Sequence, residues 1–315
     1  MNKIVIIFPC YNEEEVLIKT KNEIVEKFTK LVSKKIISSD SKICFVDDGS
    51  KDKTWEIIES FKEINIIGIK LARNVGHQFT LLAGLETLKN SFDAYITMDV
   101  DLQDDINSIE DMISEYTKGN DIVYGIREER ITDTFFKRKT AELFYLFMMK
   151  LGVNIHYNHA DYRIINNKVL LEFLKFNESH LFLRGIFPLI GFQQSKIYYK
   201  RKERVLGESK YPLKKMLSFA WEGITSFSDK PIKLVLNLGI FSILISLLLG
   251  FWALIQMLLG NTITGWTSII VLIIFFGGIQ TLSLGLIGEY IGKIYIQTKN
   301  RPRYGVEKLK NFLNE

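Results

Sequence analysis

Residues 234–288 run for 55 positions without a formally charged side chain, in a chain of 315 residues that is 24% charged overall. The block divides at Gly260-Asn261-Thr262-Ile263-Thr264-Gly265 into 26 residues (234–259) and 23 residues (266–288). Each piece exceeds the ~20 residues a helix needs to cross a bilayer. The expectation is a two-helix transmembrane hairpin at 230–292, with both ends on one side. Lys214, Lys215, Lys230 and Lys233 precede it, and Lys293, Lys299, Arg301 and Arg303 follow. Basic residues on both flanks place those ends, and the domain attached to them, on the cytoplasmic face of a cell membrane, against anionic lipid. Asn237, Gln256 and Gln280 would seek partners in another helix, which points to a homo-oligomer such as a tetramer. A buried hairpin of a soluble protein is the competing reading.

The other residues read as α/β protein. A hydrophobic share of 47% excludes a disordered chain. A net charge of +5 is too small to argue for nucleic acid. Cys10 and Cys44 make no disulfide framework and sit in apolar runs as buried thiols. The apolar run at 4–8 is too short for a signal-peptide core. Strands are expected at 4–8, 43–46, 66–71, 94–98 and 122–125, each alternating with an amphipathic helix, which implies a mostly parallel sheet covered on both faces. This domain is expected at 1–229, and 293–315 as a basic cytoplasmic tail. Amphipathic stretches at 135–151 and 213–229 fit core helices and interfacial helices alike, and their closeness to the hairpin favours the interfacial form.

Ligands of such sheets bind beyond the carboxyl ends of the strands. In Asp99-Val100-Asp101 the two carboxylates share one face of the strand end. Two hard carboxylates beside phosphate oxygens suit Mg²⁺ or Mn²⁺, with Gln103 and Asp104 in support. Helix capping competes, and fits Asp104 or Asp105 better than Asp99. Asp47 and Asp48 can accept hydrogen bonds from a ribose hydroxyl or a base N–H, with Gly49 permitting close approach. An Asx turn with a helix cap competes there, and both can hold for different residues. His77, His156 and His159 have no metal spacing and read as structural.

Pro9-x-Tyr11-Asn12-Glu13-Glu14, Asp47-Asp48-Gly49-Ser50-x-Asp52, Arg73-Asn74-x-Gly76-His77-Gln78 and Met98-Asp99-x-Asp101-Leu102-Gln103-Asp104 follow one another in this order. Together they resemble a family 2 glycosyltransferase of the polyprenyl-phosphate branch, which includes the bactoprenol glucosyltransferases and dolichol-phosphate mannose synthase. The resemblance continues through Gly125-x-Arg127-x-x-Arg130, Asp161-Tyr162-Arg163, Arg204-x-x-Gly207-Glu208-Ser209-Lys210-Tyr211 and Gly288-Glu289-Tyr290-Ile291-Gly292. It departs at Asp105-Ile106-Asn107, where the branch commonly has prolines and a glutamate. The Gln-x-x-Arg-Trp motif of the polymer synthases is absent.

The resemblance implies a glycosyltransferase A-type, Rossmann-like fold. It implies inverting transfer of one sugar from a nucleotide diphospho-sugar, UDP-glucose favoured, to undecaprenyl or another polyprenyl phosphate. Pro9, Tyr11, Asn12, Glu13, Asp47, Asp48, Asn74, Asp99 and Gln103 would contact the nucleotide sugar. Asp99, Asp101 and Gln103 would hold Mg²⁺ or Mn²⁺. Arg127, Arg130, Arg204, Ser209 and Lys210 would bind the acceptor and diphosphate. Asp101, Arg127 and Asp161 would act in catalysis, Asp161 as base or as acceptor-orienting residue. A phosphate monoester, with its second pKa near ~6, is already largely ionised at neutral pH. Two readings stay open beside this one: a glycolipid synthase with a hydroxyl acceptor, which would need a true base, and a membrane-anchored nucleotide-sugar binding module. The sugar is open among glucose, mannose, N-acetylglucosamine and an amino-arabinose.

Overall fold

The computed structural model describes residues 1–128, 159–178, 181–201, 230–259 and 265–311. The β-branched run at the start forms β1 (Ile4–Cys10), buried at every position. Helix α1 (Glu14–Ser33) follows and buries Leu17, Ile24, Phe28 and Leu31 along one stripe. The alternation continues through β2 (Lys42–Asp47), α2 (Thr54–Ser60), β3 (Ile66–Leu71), α3 (His77–Thr87), β4 (Ala94–Thr97), α4 (Ser108–Thr117) and β5 (Ile122–Arg127). Beyond it come β6 (His159–Asn166), α5 (Asn167–Phe173), α6 (Leu183–Ile190) and β7 (Gln194–Tyr199). Cys10 and Cys44 are free and buried.

The sheet order is β7-β5-β6-β4-β1-β2-β3, closed at the far edge by β8 (Val306–Lys310). Strands β1 to β4 run parallel, as do β5 and β7, whereas β6 is antiparallel to β4 and β5, and β8 to β3. The sheet is therefore mixed: β1 to β5 and β7 run in one direction, as expected of a mostly parallel sheet, and the reversed β6 and β8 are what that expectation lacked. A strand is obliged to run parallel only when a crossover connection returns it to the same end, and the strict strand–helix alternation stops at β5. Strand order reverses at β1, flanked by β2 and β4, so a crevice opens beyond its carboxyl end. The reversed β6 brings its amino end to that same edge. Its register pairs Thr97 with Arg163, and Thr97 Oγ1 donates to Asp161 O (2.6 Å), which brings Asp161 to the end of β4 that Asp99 follows.

The tail expectation also needs correcting, because part of it is the edge strand β8. Its Lys310 Nζ donates to the carbonyls of Ile58 (2.7 Å), Glu59 (2.8 Å) and Phe61, at the end of α2, where carbonyls lack helical partners. Ala72 N donates to Gly305 O (2.9 Å), and Tyr304 OH to Glu86 (2.7 Å).

A second compact unit contains α7 (Lys230–Leu258) and α8 (Trp266–Thr298). Among the described residues no helix is long and apolar enough to cross a membrane, so the expected bilayer spans are not borne out here. The link 260–264 and several side chains within each helix lie outside the described residues. Helix α8 also continues past 288 through Glu289 and Lys293 to Thr298. Phe241, Leu247, Leu248, Phe251, Leu282 and Leu284 are exposed on these helices. The amphipathic stretches at 135–151 and 213–229 lie outside the described residues.

Candidate active site

The loops after β1 and β2 are stitched into one block. Asn12 adopts a left-handed backbone (φ +53°) that asparagine tolerates better than most residues. Its N–H donates to Ser50 Oγ (3.0 Å) and its Oδ1 accepts from Lys51 N (2.9 Å). Glu13 N donates to Thr54 Oγ1 (2.9 Å), and Asp52 accepts from Glu14 N and Thr54 N. Pro9 is buried within β1, while Tyr11 is exposed beyond it. The loop after β3 packs on Gly49, where φ is +63° and a Cβ would lie 2.7 Å from the carbonyl carbon of Arg73. Asp48 is buried and braces this third loop, its two oxygens accepting from Val75 N (2.7 Å) and Gly76 N (2.9 Å). Asn74 is exposed on it. Asp47 Oδ1 accepts from Ser50 N (3.3 Å), so the Asx turn is realised, but its buried Oδ2 has no partner among the described residues. Burial pushes both carboxyls above their ordinary range.

Asp99 leaves β4 with its side chain 29% exposed. His77 Nε2 stands 3.6 Å from Asp99 Oδ1 and 3.6 Å from Asp161 Oδ2. Burial raises the Asp99 carboxyl, His77 opposes that, and Asp104, Asp161 and Asp101 add to it. A turn through buried Leu102 (φ +56°) lets Asp101 Oδ1 accept from Gln103 N (3.2 Å). The Gln103 Oε1 accepts from Arg201.

Arg127 ends β5 opposite Tyr199 of β7. Its guanidinium donates to Asp104 Oδ1 (3.1 and 3.3 Å) and to Tyr199 OH (3.2 Å), and that hydroxyl donates to Asp104 (2.5 Å). Asp104 is thus a buried counter-ion, not a helix cap. Burial disfavours the guanidinium charge, but Asp104 and Tyr199 outweigh it and raise its pKa.

Asp161 is buried among cations. Its Oδ1 accepts from Arg163 Nη2 (2.5 Å), and its Oδ2 from Arg184 Nε (3.2 Å), Arg184 Nη2 (3.0 Å) and Gln78 Nε2 (3.4 Å). Burial pushes this carboxyl up, but Arg184, His77 and Arg163 prevail and hold it well below the usual range. A carboxylate so held is a poor proton acceptor and a good orienting counter-ion. His77, which the sequence reading left structural, sits in this cluster, as do Gln78, which stands in a motif without an assigned role, and Arg184, which was not singled out. Arg184 carried one local signal: it is the sole charge in residues 181–195. Arg130, Arg204, Ser209 and Lys210 lie outside the described residues.

Among the described residues no three His, Cys, Asp or Glu side chains form a metal cage. Asp99 and Asp101 fit a lesser demand, since Mg²⁺-type sites commonly use one or two carboxylates and complete the shell with phosphate and water. Gln103 fits less well, its carbonyl being engaged by Arg201.

The profile of Glycosyl transferase family 2 matches residues 5–174, and that of the GtrB C-terminal hairpin matches 230–294. A Bacillus subtilis glycosyltransferase, the uncharacterized YkoT, is 52% identical over 304 residues, 96% of this chain and 90% of its own. The SfII prophage-derived bactoprenol glucosyl transferase of Shigella flexneri is 39% identical over 310 residues, 97% of this chain and 98% of its own. Among solved structures, the mannosyltransferase PcManGT of Pyrobaculum calidifontis, in complex with GDP-Man and Mn²⁺, is 12% identical with a TM-score of 0.45, over 90% of this chain and 87% of its own.

Proposed function

The chain belongs to the family 2 glycosyl transferases and is a glycosyltransferase; from that premise we propose that it moves one sugar, with inversion, from a nucleotide diphospho-sugar to a polyprenyl phosphate. The observation that carries this reading is the clasped Asp161 facing Asp99. An edge rich in cations, whose central carboxylate is held ionised, suits an acceptor that is itself ionised. A hydroxyl acceptor would need a base, and Asp161 is poorly placed to be one. The near full-length likeness to a bactoprenol glucosyl transferase supports the lipid acceptor, and glucose from UDP-glucose as the first donor to try.

In this reading Asp47 Oδ2, buried and without a partner among the described residues, accepts from an N–H of the nucleotide base. Asp48 keeps the 73–76 loop, and with it Asn74, against the nucleotide. Asp99 and Asp101 would hold a divalent cation, Mg²⁺ or Mn²⁺, which would supply neutralising charge to the leaving diphosphate. Arg127, held by Asp104 and Tyr199, presents its charge to the phosphates. Arg130, Arg204, Ser209 and Lys210 are assigned to the acceptor phosphate and diphosphate on the motif alone.

The hairpin lies in the bilayer in this account, with the catalytic domain formed by residues 1–229 together with the edge strand β8, with both ends cytoplasmic, and it associates with copies of itself. The uncharged stretches of 26 and 23 residues, the hairpin profile and the exposed apolar side chains of α7 and α8 support that placement. Anchorage raises the effective concentration of the lipid acceptor.

The test uses the full chain in detergent, polyprenyl phosphate or diacylglycerol as acceptor, and a panel of nucleotide sugars. Transfer to the lipid phosphate, abolished by chelation and by Asp101→Asn, is expected. Preferred transfer to diacylglycerol, or near-normal turnover of Asp101→Asn with Mg²⁺, would overturn the reading.

A further inference from the structure

We infer that Arg184 is a phosphate-contacting residue of the transfer site and that Asp161 is the residue that positions it. The inference rests on the proposed function and adds to it a cation outside the motifs. Two guanidinium groups share the single carboxylate of Asp161. Arg163 is 1% exposed and lies over the Phe187 ring at 4.6 Å, so its charge belongs to Asp161 and cannot reach a ligand. Arg127 already has Asp104 as its own counter-ion. Arg184 is therefore the arginine of the described cluster whose charge has no counter-ion of its own.

The geometry of its guanidinium fits the role. Nε and Nη2 both donate to Asp161 Oδ2, which occupies one edge of the fork. The other edge, Nη1 with the second Nη2–H, has no partner among the described residues. Two parallel N–H groups on one planar edge match two oxygens of a phosphate. The side chain is 31% exposed, so solvent, and hence a ligand, reaches it. Its partner oxygen, Asp161 Oδ2, lies 3.6 Å from His77 Nε2, which lies 3.6 Å from Asp99 Oδ1, so Arg184 joins the cluster that holds the carboxylate assigned to the diphosphate cation. Its helix start is fixed from the same edge, since Gln78 Oε1 accepts from Leu183 N (3.0 Å) while Gln78 Nε2 donates to Asp161. The phosphate belongs either to the donor diphosphate or to the acceptor monoester, and the chemistry on the Arg184 side is the same.

The test compares the full-length wild type with Arg184→Gln and Arg184→Lys, in detergent. Calorimetric titration with a nucleoside diphosphate and with a short-chain prenyl phosphate reads each phosphate without turnover. Loss of one charge-assisted contact should weaken binding of one of them roughly 10- to 100-fold, with Lys restoring part of the loss. A weaker nucleoside diphosphate assigns the donor. A weaker prenyl phosphate, with a matching rise in its KM, assigns the acceptor. Undiminished affinity for both in a folded Arg184→Gln protein overturns the inference, as does a fall in thermal stability alone. Absence of transfer by the wild type would instead count against the proposed function, and the binding arms would still decide Arg184.

Discussion

Replacing Asp161 by asparagine separates an electrostatic anchor from a proton acceptor. The carboxylate is 3% exposed and its Oδ1 stands 2.5 Å from Arg163 Nη2. The other contacts of that guanidinium are long, 3.4 Å to Ala160 O and 3.5 Å to Leu183 O, and its Nε has no partner among the described residues. Removing the negative charge strands a buried cation, which costs about 3–5 kcal/mol. Asparagine keeps one carbonyl acceptor, so the lower end, about 3 kcal/mol, is expected. For a domain of this size that corresponds to a Tm lower by roughly 6–12 °C, readable from intrinsic fluorescence during thermal unfolding. The pH dependence has a definite sign. Because the folded-state pKa is depressed, the contribution of Asp161 is fully present above the ordinary carboxylate range and is lost only as pH falls through the depressed value. Against the effect of burial, Asp161 also raises the pKa of His77 beside it. The gap between wild type and variant should therefore be largest at about pH 5, where His77 is protonated, and narrow toward about pH 8 as His77 loses its proton. It should close in strong acid as Asp161 itself is protonated. A variant with wild-type Tm that loses turnover, or a gap that widens in strong acid, would refute the anchor and return Asp161 to the role of base.

Gly49→Ala places a Cβ against the backbone of Arg73 and Asn74 at a positive φ, with a combined cost of about 2–4 kcal/mol. Because the 73–76 loop must shift, calorimetry should show weaker nucleotide binding, and intact affinity would disprove the packing of that loop on Gly49. Lys310→Ala leaves the carbonyls at the end of α2 without their donor and should cost about 1–2 kcal/mol, seen as a lower Tm. No change would mean that the contacts of the Lys310 ammonium contribute nothing to stability.

The parallel half of the sheet was legible because each buried strand is a short apolar run and each helix an apolar stripe. The motif residues at the ends of β1, β2 and β4 were legible for the same reason, since their positions follow from those runs. Strand β6 was not, because its direction is set by pairing with β4 and β5, and nothing local in residues 159–166 encodes an antiparallel register. With β6 unplaced, the meeting of Asp161 with Asp99, His77 and Arg184 could not be foreseen, for it joins residues up to about a hundred positions apart. Strand β8 was hidden by composition, because Val306-Glu307-Lys308-Leu309-Lys310 alternates apolar and charged side chains, as a half-exposed edge strand does. The dual bond of Asp104 to Arg127 and Tyr199 likewise depends on the β5–β7 register.

Mass spectrometry of the lipid product, with proton coupling constants for its anomer, tests the central claim most directly. The full chain, given a nucleotide diphospho-glucose, a divalent cation and polyprenyl phosphate, should yield one hexose on a single phosphate, with inverted configuration and no ladder of added sugars. The phosphate nucleophile is consumed in the first transfer, and the new terminus is a hydroxyl, which the clasped Asp161 does not serve as base in this account. A lipid diphosphate, a polymer or a retained configuration would contradict the account.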